Sequence, residues 1–231
     1  MTHLTFPSDR LAALAAVATS IRQATGFHYI AGNWVELFPM CLFWYQCSNN
    51  SKLKRSAPRK RFPSWSWTSF DFAGTDGFSH YSLTSFQDMK RATVLGWDVT
   101  ELKGRTAVLG EVESAQLRIS SVVTRIISWS ITEEQGKIAA SFKFENNNLR
   151  SEKVELQEGI GSDVSLSFIS PSHYGYISDG DDHTIETGLL LAPYKDGYVR
   201  VGSMSVRVLY GPTGDYKPLW NEEEIQHIYL Y

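Results

Sequence analysis

The chain has little of what usually announces chemistry. Only two of its 231 residues are cysteines, Cys41 and Cys47, and a lone pair makes no disulfide framework. Set in an apolar stretch, they read as buried thiols of a reducing compartment. Gly159, Gly161 and Gly175 fit neither the dinucleotide nor the P-loop spacing, which argues against nucleotide chemistry and leaves no cofactor implied. The histidines at 3, 28, 80, 173, 183 and 227 form no His-Glu-x-x-His motif, and no Gly-x-Ser-x-Gly elbow accompanies them. No window approaches 18 uninterrupted apolar residues, so no membrane span is expected. The opening Met-Thr-His-Leu-Thr-Phe-Pro-Ser-Asp-Arg lacks the basic and apolar regions of a secretory signal, and a cytoplasmic location is the expectation. Basic charge is also scarce. The formal net charge is −3 although Lys52, Lys54, Arg55, Arg59, Lys60 and Arg61 fall within ten residues. A nucleic-acid surface needs basic charge spread over a face, so no nucleic-acid partner is expected. The run itself reads as a solvated loop, an address signal, or a contact for a protein partner.

What the chain does have is a soluble domain's balance, with 42% hydrophobic and 20% charged residues, and 13% aromatics: seven Trp, eleven Tyr and twelve Phe. A chain of this size can bury about 70% of its extended surface. One domain over 1–231 is expected, a helical part at 1–61 followed by a β-rich part at 62–231.

Ser8 is placed to cap a helix, Asp9 suits the positive end of its dipole, and Leu11, Leu14, Ala15, Ala18 and Ile21 recur at helical spacing before Gly26. A second helix is predicted over Asn33–Tyr45, kinked at Pro39. From residue 62 onward, short Val, Ile, Thr, Phe and Trp runs alternate with turn residues. These predict strands at Ser64–Phe72, Ala92–Val99, Ser114–Val123, Ile126–Thr132, Lys137–Phe144, Val164–Ile169, Tyr174–Ile177, Gly188–Ala192, Tyr198–Leu209 and Gln226–Tyr231, with turns at Asp76-Gly77, Asn146-Asn147-Asn148, Asp179-Gly180 and Asp196-Gly197. Within Ser114–Val123, Ala115, Leu117, Ile119 and Ser121 alternate with Gln116, Arg118 and Ser120, the mark of a sheet with one wet face. The expected fold is α+β, mainly β, with a small helical layer packed on a mostly antiparallel barrel or sandwich.

Candidate chemistry is sparse. Asp179-Gly180-Asp181-Asp182-His183 is dense in carboxylates, yet an EF-hand register from Asp179 puts Leu190 where a bidentate Glu is needed, and no metal site is expected. His80 is the first choice for a general acid or base, with Asp71 and Tyr81 as further polar handles. In an extended strand Trp65 and Trp67 project to one face, away from Ser64, Ser66 and Thr68. Two such rings serve either to anchor the helices on the sheet or to wall a small-molecule pocket, with Trp34 and Phe70 beside them.

Phe62-Pro63-Ser64-Trp65-Ser66-Trp67-Thr68-Ser69-Phe70-Asp71 resembles the "aPSWSWaSvdg" signature of fungal heterokaryon incompatibility (HET) domain proteins. Phe6-Pro7-Ser8-Asp9-Arg10-Leu11 is similar to that family's "yPSDrL" segment. Tyr29-Ile30-Ala31-Gly32-Asn33-Trp34 through Leu42-Phe43-Trp44-Tyr45 resembles "YlaGlW…LLWy", and Gly110–Leu117 and Tyr198–Gly202 match later strands. The resemblance implies the region beyond the HET block that carries the family's cell-death signalling, so no catalytic residue is carried over from that block. Phe70, Phe72 and Pro39 depart from the family pattern. Two functions follow as expectations. One is a module that binds a hydrophobic small molecule in an aromatic pocket, extending to a cofactor-free cyclase or isomerase of fungal secondary metabolism. The other is a non-enzymatic recognition or regulatory module of incompatibility signalling. A fragment of a longer gene product is a third reading.

Overall fold

The computed structural model describes residues 9–46, 52–55, 62–71, 78–80, 92–101, 112–134, 137–144, 148–169, 183–209 and 225–231. Its one α-helix in these residues is α1 (Asp9–Thr25), closed by Gly26 at φ +76. The strands are β1 (Tyr29–Ile30), β2 (Asn33–Trp34), β3 (Trp44–Gln46), β4 (Lys52–Arg55), β5 (Phe70–Asp71), β6 (Phe78–His80), β7 (Ala92–Glu101), β8 (Val112–Val122), β9 (Thr124–Ile126), β10 (Ser128–Glu134), β11 (Lys137–Lys143), β12 (Asn148–Gln157), β13 (Leu166–Ile169), β14 (His183–Tyr194), β15 (Gly197–Leu209) and β16 (Ile225–Leu230). The chain is mainly β, as its residue pattern predicts.

One large sheet runs β10-β11-β12-β15-β14-β13-β9, with β16 branching from β15 to carry β8 and β7, and β4 branching from β12 to carry β5. Its pairings are antiparallel except β12 with β4 and β15 with β16. Among the described residues the sheet does not close on itself, so of the expected barrel or sandwich the barrel is not formed. β14 is buried on both faces over Gly188–Ala192, which is why it reads there as an unbroken Leu189-Leu190-Leu191-Ala192 run rather than an alternation. Leu189 and Leu191 join Leu117, Ile119, Ile169, Ile228, Leu230 and Trp65 in one core. Leu190 and Ala192 join Phe142, Phe144, Val154, Phe168 and Met204 in the other. β8 keeps its predicted alternation, burying Leu117 and Ile119 and exposing Arg118.

Two expected elements are replaced. Instead of a helix over Asn33–Tyr45, a β1–β2 hairpin gives way to 3-10 turns at Val35–Leu37 and Met40–Leu42, on either side of a cis Phe38–Pro39 bond, and then β3. The cause is the Ala31-Gly32 loop, whose residues both hold positive φ, +43 and +87, as a two-residue type I′ turn requires. Instead of a strand over Ser64–Phe72, a turn runs into a 3-10 helix at Trp67–Ser69, and only Phe70–Asp71 pairs. Ser66 caps that helix, its hydroxyl accepting from the Thr68 amide, and this local bond competes with extended backbone.

α1 is less buried than its spacing predicts. Ala18 packs on Tyr29 and Phe62, whereas Leu14, Val17 and Ile21 are exposed. The basic run does not begin as a loop, since Lys52–Arg55 pairs between β12 and β5. Residues 56–61 lie outside the described residues, as does the strand expected at Tyr174–Ile177. Cys41 is partly exposed rather than buried. β12 is a strand the sequence reading missed.

Candidate functional site

The Pro-Ser-Trp-Ser-Trp turn is a junction made of hydrogen bonds. Ser66 Oγ donates to Ala31 O at 2.6 Å, and Trp67 Nε1 donates to Gly32 O at 2.8 Å. The turn thereby grips the tip of the β1–β2 hairpin. A Cβ on Gly32 would fall 2.8 Å from the Trp67 indole nitrogen, so glycine is required there for space as well as for φ. Trp44 Nε1 donates to Trp65 O at 3.2 Å, and the Trp44 and Phe70 rings lie 5.4 Å apart. Ser64, 2% exposed, ties in the sheet: its amide and hydroxyl both donate to Tyr231 O, and its hydroxyl accepts from the Arg200 amide at 3.0 Å.

Arg200 completes the junction from β15. It stands beside a bulge, since β14 residues Leu190 and Leu191 pair with Gly202 and Arg200, and bulges commonly re-aim a neighbouring side chain. Fully buried, it donates from Nη1 to Leu42 O at 2.8 Å and from Nη2 to Trp44 O at 2.5 Å, with its guanidinium 3.4 Å from the Trp44 ring centroid. A planar fork suits two neighbouring carbonyls and an aromatic face in a way an ammonium does not.

This junction holds one wall of a cleft. The cleft measures about 310 Å³ and is lined by Phe62, Pro63 and Ser64 from the turn, Val112–Ala115 from β8, Tyr194 and Lys195 from the β14–β15 turn, Val199, and Tyr231. That volume sits at the lower end of the roughly 300–1,000 Å³ typical of small-molecule sites. Tyr231 is fixed by its backbone, donating to Tyr198 O at 2.9 Å while Ser64 holds its carbonyl. Its phenol donates to Asp196 Oδ1 and accepts from Gln116 Nε2 at 2.8 Å. The bond to Asp196, helped by partial burial, pushes the phenol up to about 12, and the same bond holds the Asp196 carboxyl below its usual range. Tyr194 meets Tyr231 edge to face at 5.7 Å. The Lys195 ammonium rests 4.9 Å from the Tyr231 centroid and 5.4 Å from that of Tyr194. Its residue holds φ +54, which orients the tight turn closing β14 onto β15, the turn expected at Asp196-Gly197.

The four aromatic residues singled out from sequence lie elsewhere. Trp65 and Phe70 have no exposed surface, and Trp65 meets Phe38 edge to face at 6.1 Å. Trp34 packs on Tyr29 at 4.7 Å, and Trp67 lies between the Phe62 and Trp44 clusters. On a turn and a 3-10 helix, Trp65 and Trp67 share no strand face, and none of these four rings lines the cleft. The backbones of Asp71 and His80 pair with Lys54 and Trp44. The side chains of Asp71 and His80, all of Tyr81, and the acidic run 179–182 lie outside the described residues. Tyr194, Lys195, Asp196 and Tyr231 were missed, and only the Asp196-Gly197 turn signal pointed near them. No family model, no curated protein and no solved structure matches the chain.

Proposed function

We propose that this protein binds a small, largely apolar molecule in the cleft between the Phe62–Ser64 turn, the start of β8 and the β14–β15 turn. The observation that carries the reading is the edge-to-face Tyr194–Tyr231 pair above a lining of Phe62, Pro63, Val112, Ala115 and Val199. Apolar walls with a few fixed polar groups are the general form of such sites. The two sides of the cleft are held rigidly, one by the Ser64–Tyr231–Arg200 bonds and the other by β8 pairing with β16, so little ordering cost falls on binding. The proposal is one of binding. The Tyr231 phenol has its proton committed to Asp196 and is poorly suited to giving it up near neutral pH.

The test is a fragment screen followed by NMR with labelled tyrosine and valine. Binders should perturb Tyr194, Tyr231 and Val199 together. Ser114→Trp, an exposed cleft position, should abolish those perturbations while leaving the fold intact by circular dichroism. Binders that shift other residues only, or that survive Ser114→Trp, would overturn the reading.

A further inference from the structure

Resting on that reading, we infer that the cleft selects a molecule whose apolar body carries one cationic amine, and that Glu113 pairs with this amine. The charges around the cleft are unevenly matched. The Tyr231 hydroxyl first, and the Lys195 ammonium after it, hold the Asp196 carboxyl below its usual range, so Lys195 and Asp196, adjacent on the turn, answer one another. Glu113 lines the same cleft with an exposed side chain and makes no ion pair among the described residues. Its carboxylate leaves the cleft with an excess of negative charge, which is complementary to a cation and opposes an anion. The rings point the same way. Tyr231 and Tyr194 already hold an ammonium, that of Lys195, at 4.9 and 5.4 Å from their centroids, inside the roughly 6 Å over which a ring face attracts a cation. As a like charge that ammonium also opposes a second cation, so its removal favours the ligand. One unmatched carboxylate accommodates a single cationic head, and the apolar lining takes the body.

The experiment compares 2-naphthylmethylamine, 2-naphthylmethanol and 2-naphthoate at neutral pH on the intact chain, following Tyr194 and Tyr231 by NMR titration. The three probes share one apolar body and differ in charge. The amine should bind about three-fold tighter than the alcohol, the scale of one partly exposed ion pair, and the carboxylate should bind more weakly than the alcohol. Glu113→Gln should erase the amine's advantage over the alcohol, and raised salt should shrink it. Lys195→Met should widen that advantage by about two-fold. Equal or tighter binding of the alcohol or the carboxylate, an amine advantage that persists in Glu113→Gln, or one that falls in Lys195→Met, would overturn the amine assignment while leaving the cleft as a binding site. Failure of all three probes to perturb either tyrosine would remove both.

Discussion

Arg200 lies with its guanidinium 3.4 Å from the Trp44 ring centroid and donates to the carbonyl of that same residue, so a β15 side chain fixes the start of β3 across 156 positions of sequence. The pair explains how a segment of short turns and three-residue strands keeps one conformation. Its carbonyls at Leu42 and Trp44 each accept a hydrogen bond from the β15 arginine.

Removing that fork should therefore be costly. Arg200→Met keeps the volume but removes the arginine donors from two buried carbonyls together with the Trp44 stack, and a loss of about 3 kcal/mol is expected in urea unfolding. Arg200→Lys should recover less than half of it, because an ammonium offers neither the fork nor the stack. Full rescue by lysine would show that charge alone matters.

Trp44 and Trp65 are both fully buried, yet their indole nitrogens differ. Trp44 Nε1 donates to Trp65 O, whereas Trp65 Nε1 has no partner among the described residues. Trp65→Phe removes a donor that is already unsatisfied, and Trp44→Phe removes a hydrogen bond together with part of the Arg200 stack. Trp44→Phe should be the more destabilising by about 1 kcal/mol. The reverse order in thermal unfolding would contradict the assigned bonding.

The Tyr231–Asp196 bond needs a protonated phenol and an ionised carboxylate. Because the phenol is raised to about 12 in the fold, its contribution is complete below the free value of about 10 and is lost as pH rises through the folded value. The carboxylate is depressed, so at the acid end the contribution is lost as pH falls below the usual carboxylate range. Asp196→Asn should return Tyr231 toward about 10 in a labelled-tyrosine NMR titration. An unmoved Tyr231 would place the cause elsewhere.

Glycine positions offer a sharp contrast. A Cβ at Gly202 would lie 2.1 Å from the Glu155 carbonyl of the neighbouring strand, whereas one at Gly161 meets only the flexible end of Asp163. Gly202→Ala should cost at least about 3 kcal/mol by forcing β12 from β15, and Gly161→Ala should stay within about 0.5 kcal/mol. Equal effects on unfolding midpoint would refute the close approach.

The extent of α1 and the alternation of β8 were legible because each rests on a period that neighbouring residues share. The Trp-rich turn was not, because alternation places Trp65 and Trp67 on one face only if the backbone is extended, and the Ser66 hydroxyl bends it by bonding the Thr68 amide. β12 escaped notice because Glu155 and Gln157 are polar yet buried, which inverts the usual reading of polar positions as exposed. The cleft was invisible for another reason: Phe62, Glu113, Lys195 and Tyr231 share no local pattern and meet only through the sheet.

β16 touches β15 through the single parallel pairing of Tyr198 with Leu230, and β8 along its whole length. Among the described residues the β7–β8 hairpin reaches the rest of the sheet only through this strand. During synthesis, then, Leu117 and Ile119 wait about a hundred residues for the neighbour that covers their edge, a long-range closure of the kind that slows folding and leaves apolar strands open to wrong partners. The order in which the chain is made thus sets when its sheet becomes one piece.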